Sequence, residues 1–270
     1  MSGLIIQLPG TTFTGSGLLK LYRDAIINSG SLFCFDFLDT YCNPYAAGNL
    51  TNGAIFTNLV PGAPVATLQV PTSSIVTTDS NGVNFASTAG GPSGINLGTT
   101  YDMAASNNAF LATIWFKTSS SQTGAYPGVM GLAGNTGTTC QYAVDTGPTP
   151  GQSTTRISSS GGASSATTGI APTTMQQIAL LWTPGMAYGF RNGALISNLT
   201  ANTTLLAPGL PEAIGATGGA MSAYAPLLAR IYRAWKENIT VSAAASGLTP
   251  LAQATAQIAA DYAANSGRFS

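Results

Sequence analysis

The chain contains no histidine, and that absence removes most nucleophilic chemistry. A Ser-His-Asp or Cys-His system cannot be assembled within one chain without the imidazole that takes the proton. Zinc needs clustered cysteine or histidine ligands, and Cys34, Cys42 and Cys140 are scattered. Their odd number, with no secretory leader ahead of them, predicts buried free thiols rather than a disulfide framework. Glycoside hydrolysis by a carboxyl pair needs two acids about 5–10 Å apart. Glu212 and Glu237 are the two glutamates of the chain, and neither has an acidic partner at i+2 or i+4. Asp36 and Asp39 are close in sequence, but an odd offset along a strand sends them to opposite faces. No G-x-x-x-x-G-K-[ST] or strand-linked G-x-G-x-x-G is present, so nucleotide binding has no warrant. No catalytic set and no cofactor is expected.

Calcium takes several oxygen ligands, carboxylates prominent among them. Asp79 and Asp102 lie in turn-like sequence where backbone carbonyls could assist, yet an aspartate bonding its own turn backbone explains both. No metal site is expected. Glycan binding would set exposed aromatic rings against sugar faces, with a few polar groups nearby. The candidates are Tyr126 in QTGAYPG, Tyr224 in MSAYAP, and Tyr188 with Arg191 and Asn192 beside a hairpin; ordinary packing or turn chemistry is the competing reading for each. Trp115, Trp182 and Trp235 sit in strand-like runs and read as core.

The elements that must position these residues are organised around residues 176–198, QQIALLWTPGMAYGFRNGALISN. Ile178, Leu180 and Trp182 alternate with Ala179, Leu181 and Thr183, the period of a strand packed on one face. Pro184-Gly185 breaks the run, since proline cannot donate to a ladder. Asn192-Gly193 between two strand-like runs is a type I′ hairpin signal, because that turn needs positive φ at both central residues. Upstream, strands are expected at 31–39 (SLFCFDFLD), 55–56, 66–70, 82–86, 95–97, 109–117 (AFLATIWFK), 129–133, 140–144 and 155–158. Downstream, 213–216 and 227–235 close the set. Many short strands separated by turn signals indicate an all-β, two-sheet antiparallel sandwich of jelly-roll type. Residues 158–168, SSSGGASSATT, read as a flexible loop.

Charged residues make up 7% of the chain, against roughly 25% in a typical soluble domain. Nine basic and nine acidic residues cancel, which excludes the basic footprint of a nucleic-acid binder. So weakly charged a surface either lies against other chains or is a neutral Ser/Thr/Asn surface. No run reaches the roughly 18 apolar residues of a membrane span, and MSGLIIQLPG lacks the features of a signal peptide. Residues 1–30 read as an assembly arm, with a short strand at 4–8; 18–27 fits either a helix or a strand. Residues 31–239 form the sandwich and 240–270 a helical tail. Thr240 is expected to cap a first helix ending at Gly247, and Thr249 with Pro250 to start a second. Leu251, Thr255, Ile258 and Tyr262 form one narrow seam on that helix, suited to docking on the sandwich or on a neighbouring subunit.

Taken in order, five of these segments resemble a concanavalin A-like jelly roll of the laminin-G-like kind. They are LFCFDFLD, VNFASTAGGPSGINLGTT, FLATIWFK, IALLWTPGMAYGFRNGALI, and the closing AIGATGG with LLARIYRAWKENITVSAAA. The resemblance covers residues 31–245. Two departures stand out: Ala225–Ala229 replaces the glycine and the acid that usually precede the closing arginine, and the acid supporting the family's calcium site has no counterpart. The neutral composition, the arm and the missing leader also resemble a tailed-bacteriophage tail or baseplate protein. That resemblance implies a non-enzymatic virion component, made in the host cytoplasm, which binds host-surface glycan or another receptor. It would be a homo-oligomer, a trimer in the first instance, held to other virion proteins through residues 1–30 and the tail. A purely architectural baseplate or decoration subunit and a cellular lectin are the alternatives.

Overall fold

A computed structural model of the chain describes residues 24–71, 74–86, 93–122, 127–133, 140–146, 154–159, 162–167, 174–207, 209–216 and 226–269. Two antiparallel sheets enclose the apolar core, and two helices follow the last strand. The first sheet contains β1 (Ser31–Asp36), β2 (Gly48–Asn49), β5 (Val76–Asp79), β6 (Gly82–Phe85), β8 (Phe110–Thr118), β13 (Gln176–Thr183), β14 (Met186–Arg191), β15 (Ala194–Thr200) and β17 (Ala229–Asn238). Its order is β15-β14-β13-β8-β17-β6-β5-β2; β6 pairs with the start of β17 and β1 with its remainder. The second sheet contains β3 (Ile55–Phe56), β4 (Ala66–Gln69), β7 (Gly94–Asn96), β9 (Gly128–Ala133), β10 (Cys140–Asp145), β11 (Thr154–Ser159), β12 (Gly162–Thr167) and β16 (Ala213–Ile214). It runs β12-β11-β10-β9-β16-β7-β4-β3.

Strand alternation gives β8 two covered faces. Phe110 stacks on Trp182 of β13 and meets Tyr142 of β10 in the opposite sheet, so its side faces the core. Trp115 stacks instead on Tyr262 of the C-terminal helix, on the outer side. Lys117 is the single residue of β8 that is not buried. All three tryptophans are buried, and the three cysteines are buried free thiols. At the β14–β15 turn Asn192 and Gly193 have φ of 48° and 83°, the signs a type I′ turn requires.

Several segments differ from their sequence-based expectation. Within 158–168, a hairpin replaces the flexible loop: β12 pairs with β11 along its whole length. Backbone pairing asks little of side chains, so a Ser/Ala/Thr run can serve as a strand at a sheet's edge. Helix α1 (Ile239–Ser246) begins before Thr240; Asn238 is the N-cap, its side chain accepting from the Val241 N–H. Thr240 Oγ1 accepts instead from the Ala109 N–H, tying the helix start to β8. Helix α2 (Pro250–Asn265) has the expected Thr249 cap and Pro250 start. Its fully buried residues are Ala254, Ile258, Asp261 and Asn265. Of the expected seam, Ile258 is buried, Leu251 packs against the core and Tyr262 stacks on Trp115, while Thr255 is exposed.

Of the expected arm, residues 24–30 are described, and they lie on the same outer face as the helices. Asp24 pairs with Arg233 of β17, and Ile27 is buried. Residues 24–27 form a turn closed by the Ile27 N–H on the Asp24 carbonyl. The strand expected at 4–8 lies outside the described residues.

Candidate functional site

The sequence of β17, ARIYRAWKEN, decides what the outer face presents. Arg230 sits opposite Lys117 of β8 on one side and Asn84 of β6 on the other. Three polar residues thus line up across three adjacent strands, spaced at about 4.7–4.9 Å. A bulge between Ile231 and Arg233 then shifts the phase of the strand. Before it Arg230 and Tyr232 point outward. Beyond it Arg233 and Trp235 do so, both bonding Asp261 of α2, while Lys236 turns inward to the ring of Tyr142.

The C-terminal tail covers the outer face as far as Tyr232. Phe269 stacks on Tyr232 and meets Trp115 edge-on. Next to this cover the sheet opens into a pocket of about 290 Å³, lined by Asn84, Lys117, Thr118, Ser119, Arg230 and Tyr232. Arg230 is held by Asp79 of β5 at 2.9 Å, and Asp79 also accepts from the Asn81 N–H at 2.7 Å. The Lys117 side chain makes no hydrogen bond or ion pair among the described residues. The ring of Tyr232 is wholly buried, so it lends the pocket a wall and no open aromatic face.

Two buried polar clusters hold the strands around this pocket. On the outer side, Asp261 Oδ2 accepts from Trp115 Nε1 (2.7 Å), Gln177 Nε2 (2.8 Å) and Trp235 Nε1 (3.2 Å). Its Oδ1 accepts from Arg233 Nε (3.1 Å) and Asn265 Nδ2 (3.0 Å). Arg233 also reaches Asp24 and Asp36, and Arg268 closes on Asp36 at 2.8 Å. Between the sheets, Lys236 Nζ pairs with Glu212 Oε2 at 2.9 Å, and the Tyr142 hydroxyl donates to Glu212 Oε1. Burial pushes the Glu212 carboxyl up and the Lys236 ammonium down, each shift opposed by the partner's charge.

The sequence-derived candidates do not converge on this pocket. Tyr188 lies opposite Leu181 and is half-buried against the core. Arg191 ends β14 opposite Ile178, and β13 separates that strand from β8. The side chain of Asn192 ties its turn to β13 by accepting from the Gln177 N–H at 2.9 Å. Tyr126 and Tyr224 lie outside the described residues. Asp79 and Asp102 each cap a local turn, with Asn81 and Ala104 N–H groups at 2.7 Å, and Asp102 also accepts from Gln141 Nε2. Among the described residues no group of three or more His, Cys, Asp or Glu is placed to hold a metal. Lys117, Asn84 and Arg230 were missed because register, not sequence proximity, brings them together. The available signal was Lys117 itself, a charge continuing the outward series Leu111, Thr113, Trp115 in a chain with few charges.

No protein-family model matches the chain. No curated protein matches it in sequence. In structure it is similar to Trypanosoma rangeli sialidase in complex with 2,3-difluoro-KDN, with a TM-score of 0.54, 14% identity, and coverage of 94% of this chain and 36% of that one. It also matches the botulinum neurotoxin serotype D binding domain (TM-score 0.48, 10% identity, 77% and 48% covered) and the CBM40 of Ruminococcus gnavus IT-sialidase bound to sialyllactose (0.45, 14%, 58% and 90%). The chain spans about a third of the length of the sialidase chains it matches. At this identity the likeness concerns the fold alone: this chain is a two-sheet antiparallel β-sandwich with a helical C-terminus, built like part of the sialidase.

Proposed function

We propose that this chain is a non-catalytic glycan-binding sandwich and that its sugar seat is the pocket beside Lys117. The observation that carries the reading is an open, polar pocket beside the helical cover of the sheet, with the Lys117 ammonium free to meet a ligand. Its volume, about 290 Å³, is at the small end of ligand sites and fits one or two sugar rings. The sandwich it resembles belongs to sialidase chains solved with sugar ligands, which makes glycans the first class to test. Isothermal titration of the full chain against a glycan panel, with Asn84→Ala and Lys117→Ala beside the parent, tests both parts. Saturable binding weakened by both substitutions supports the seat. Binding indifferent to both moves the seat elsewhere, and no binding by any glycan rejects the reading.

A second reading, an architectural subunit of a phage tail or baseplate, draws on a different observation. Tyr45, Ile55 and Val65, along the β3–β4 edge, are 38%, 49% and 46% exposed. Exposed apolar side chains of this kind suit burial against another chain. With the neutral composition, they favour a homo-oligomer; in this reading it is a trimer within a virion. Light scattering that finds a monomer, together with absence from purified particles, would sink it.

A further inference from the structure

We infer that the pocket selects glycans carrying an anionic substituent, a carboxylate or a sulfate ester, with the Lys117 ammonium as its counter-ion; this rests on the glycan reading above. The charge distribution is the first argument. The chain has nine basic residues. Among those whose side chains are described, Arg230 pairs with Asp79, Arg233 with Asp24, Asp36 and Asp261, Lys236 with Glu212, and Arg268 with Asp36, and Arg191 also has an interaction partner. The Lys117 ammonium pairs with nothing described, and no carboxylate is among the described residues that line its pocket.

Register supplies the second argument. Lys117 and Arg230 face each other directly across adjacent strands, and like charges in that position destabilise a sheet. Asp79 draws off the charge of Arg230 only on the far side, toward β5. An anion seated between the two cations would relieve the repulsion, which makes the unfavourable pairing intelligible as a binding feature. The third argument is the missing ring. Tyr232 is stacked beneath Phe269, so no described aromatic face in the pocket can cover a sugar ring. A neutral sugar would depend on hydrogen bonds that water makes equally well. A charge-assisted bond to an anionic oxygen is about twice as strong, and Asn84 and Ser119 can serve the neighbouring hydroxyls.

The test uses the full chain and two ligand pairs: a uronic-acid oligosaccharide with its carboxyl-reduced form, and a sulfated oligosaccharide with its desulfated form. At least one anionic member should bind about tenfold or more tighter than its neutral twin, and that preference should weaken as salt rises from about 50 to about 500 mM. Preference in the first pair alone assigns the carboxylate, in the second alone the sulfate. Lys117→Gln should abolish the preference and Lys117→Arg should keep most of it; the site is partly exposed, and circular dichroism confirms the fold. Equal binding of both members of each pair, or undiminished preference in Lys117→Gln, overturns this inference while leaving the glycan reading in place. Binding to none of the four also overturns this inference, and the glycan reading then stands or falls by the wider panel.

Discussion

Replacing Asp261 tests whether a single carboxylate holds the C-terminal helix on the sheet. Asp261 is 3% exposed and accepts five hydrogen bonds, from Trp115, Gln177, Trp235, Arg233 and Asn265. Asp261→Ala leaves the two indole N–H groups and the Gln177 amide buried without that acceptor. Each orphaned donor costs about 1–3 kcal/mol, though partial repacking and water entry keep such losses from adding fully. Arg233 keeps Asp24 and Asp36, so no bare charge is left behind. The expected loss is therefore about 3–5 kcal/mol, the range for breaking a buried ionic contact. Asp261→Asn preserves shape and one acceptor oxygen but presents an amide N–H₂ to other donors; it should lose about 2–4 kcal/mol. Urea unfolding followed by tryptophan fluorescence reads the effect directly, since two of the three indoles touch the carboxylate. A loss below about 1 kcal/mol in Asp261→Ala would refute the anchoring role, because that is the net value of one ordinary hydrogen bond.

The buried pair between the sheets makes a sharper distinction. Lys236→Met or Glu212→Leu alone strands a charge at a fully buried site and should cost about 3–5 kcal/mol, whereas the double substitution removes both charges and should cost only about 1–3 kcal/mol, the penalty of the orphaned Tyr142 hydroxyl; singles as mild as the double in chemical denaturation would contradict this. Burial by itself would raise the Asp24 carboxyl, but the hydrogen bond and charge of Arg233 prevail and hold it below its ordinary 3.8. A depressed folded value means that this contribution is complete above the ordinary value and is lost as pH falls through the folded one. Asp24→Asn should accordingly flatten the acid limb of the stability-versus-pH curve, and an unchanged limb would count against the Asp24–Arg233 contact. At Gly82, φ is 124° and an added Cβ would lie 2.5 Å from the Ile231 carbonyl oxygen, so Gly82→Ala should cost about 2–4 kcal/mol in the same denaturation assay; a neutral result would mean that β6 and β17 are further apart than described. Burial pushes the Cys34 and Cys42 thiols well above their ordinary range. All three cysteines should resist a thiol reagent in the native chain and react on unfolding; prompt labelling of any one would show that its burial is wrong.

Much of the sandwich was legible because local chemistry is specific at its turns and central strands. Asn192-Gly193 admits few alternatives to a type I′ turn, and the apolar alternation of 109–117 fixes β8. Thr249-Pro250 announces α2 in the same way. The remainder turns on contacts that leave no local mark. Nothing in ARIYRAWKEN shows the bulge after Ile231, yet that bulge sends Arg233 outward to three aspartates and Lys236 inward to Glu212. Asn238 and Thr240 are both competent caps, and the choice falls to Asn238 because Thr240 bonds Ala109. β12 has almost no hydrophobic signal because its pairing with β11 is a backbone matter. The pocket is the extreme case: Asn84, Lys117 and Arg230 meet only once β6, β17 and β8 are in register.

The scarcity of charge acquires a structural meaning from where the charges lie. Among the described residues, seven charged side chains are buried: Asp36, Asp145, Glu212, Arg233, Lys236, Glu237 and Asp261. Burying an ion pair is a poor way to gain stability, since desolvation offsets most of the attraction. A directional contact, however, fixes position in a way that apolar packing does not. The alanine-rich α2 packs few large side chains on the sheet, chiefly Leu251, Ile258 and Tyr262. Four donors from outside the helix, on Trp115, Gln177, Trp235 and Arg233, converge on Asp261 and resist a slide, because each requires the carboxylate within about 0.5 Å of its place. That fixed position ends the cover at Phe269 over Tyr232 and leaves Lys117 outside it. On this argument the buried charges set where the helical cover stops, and the unpaired lysine is what that boundary leaves open.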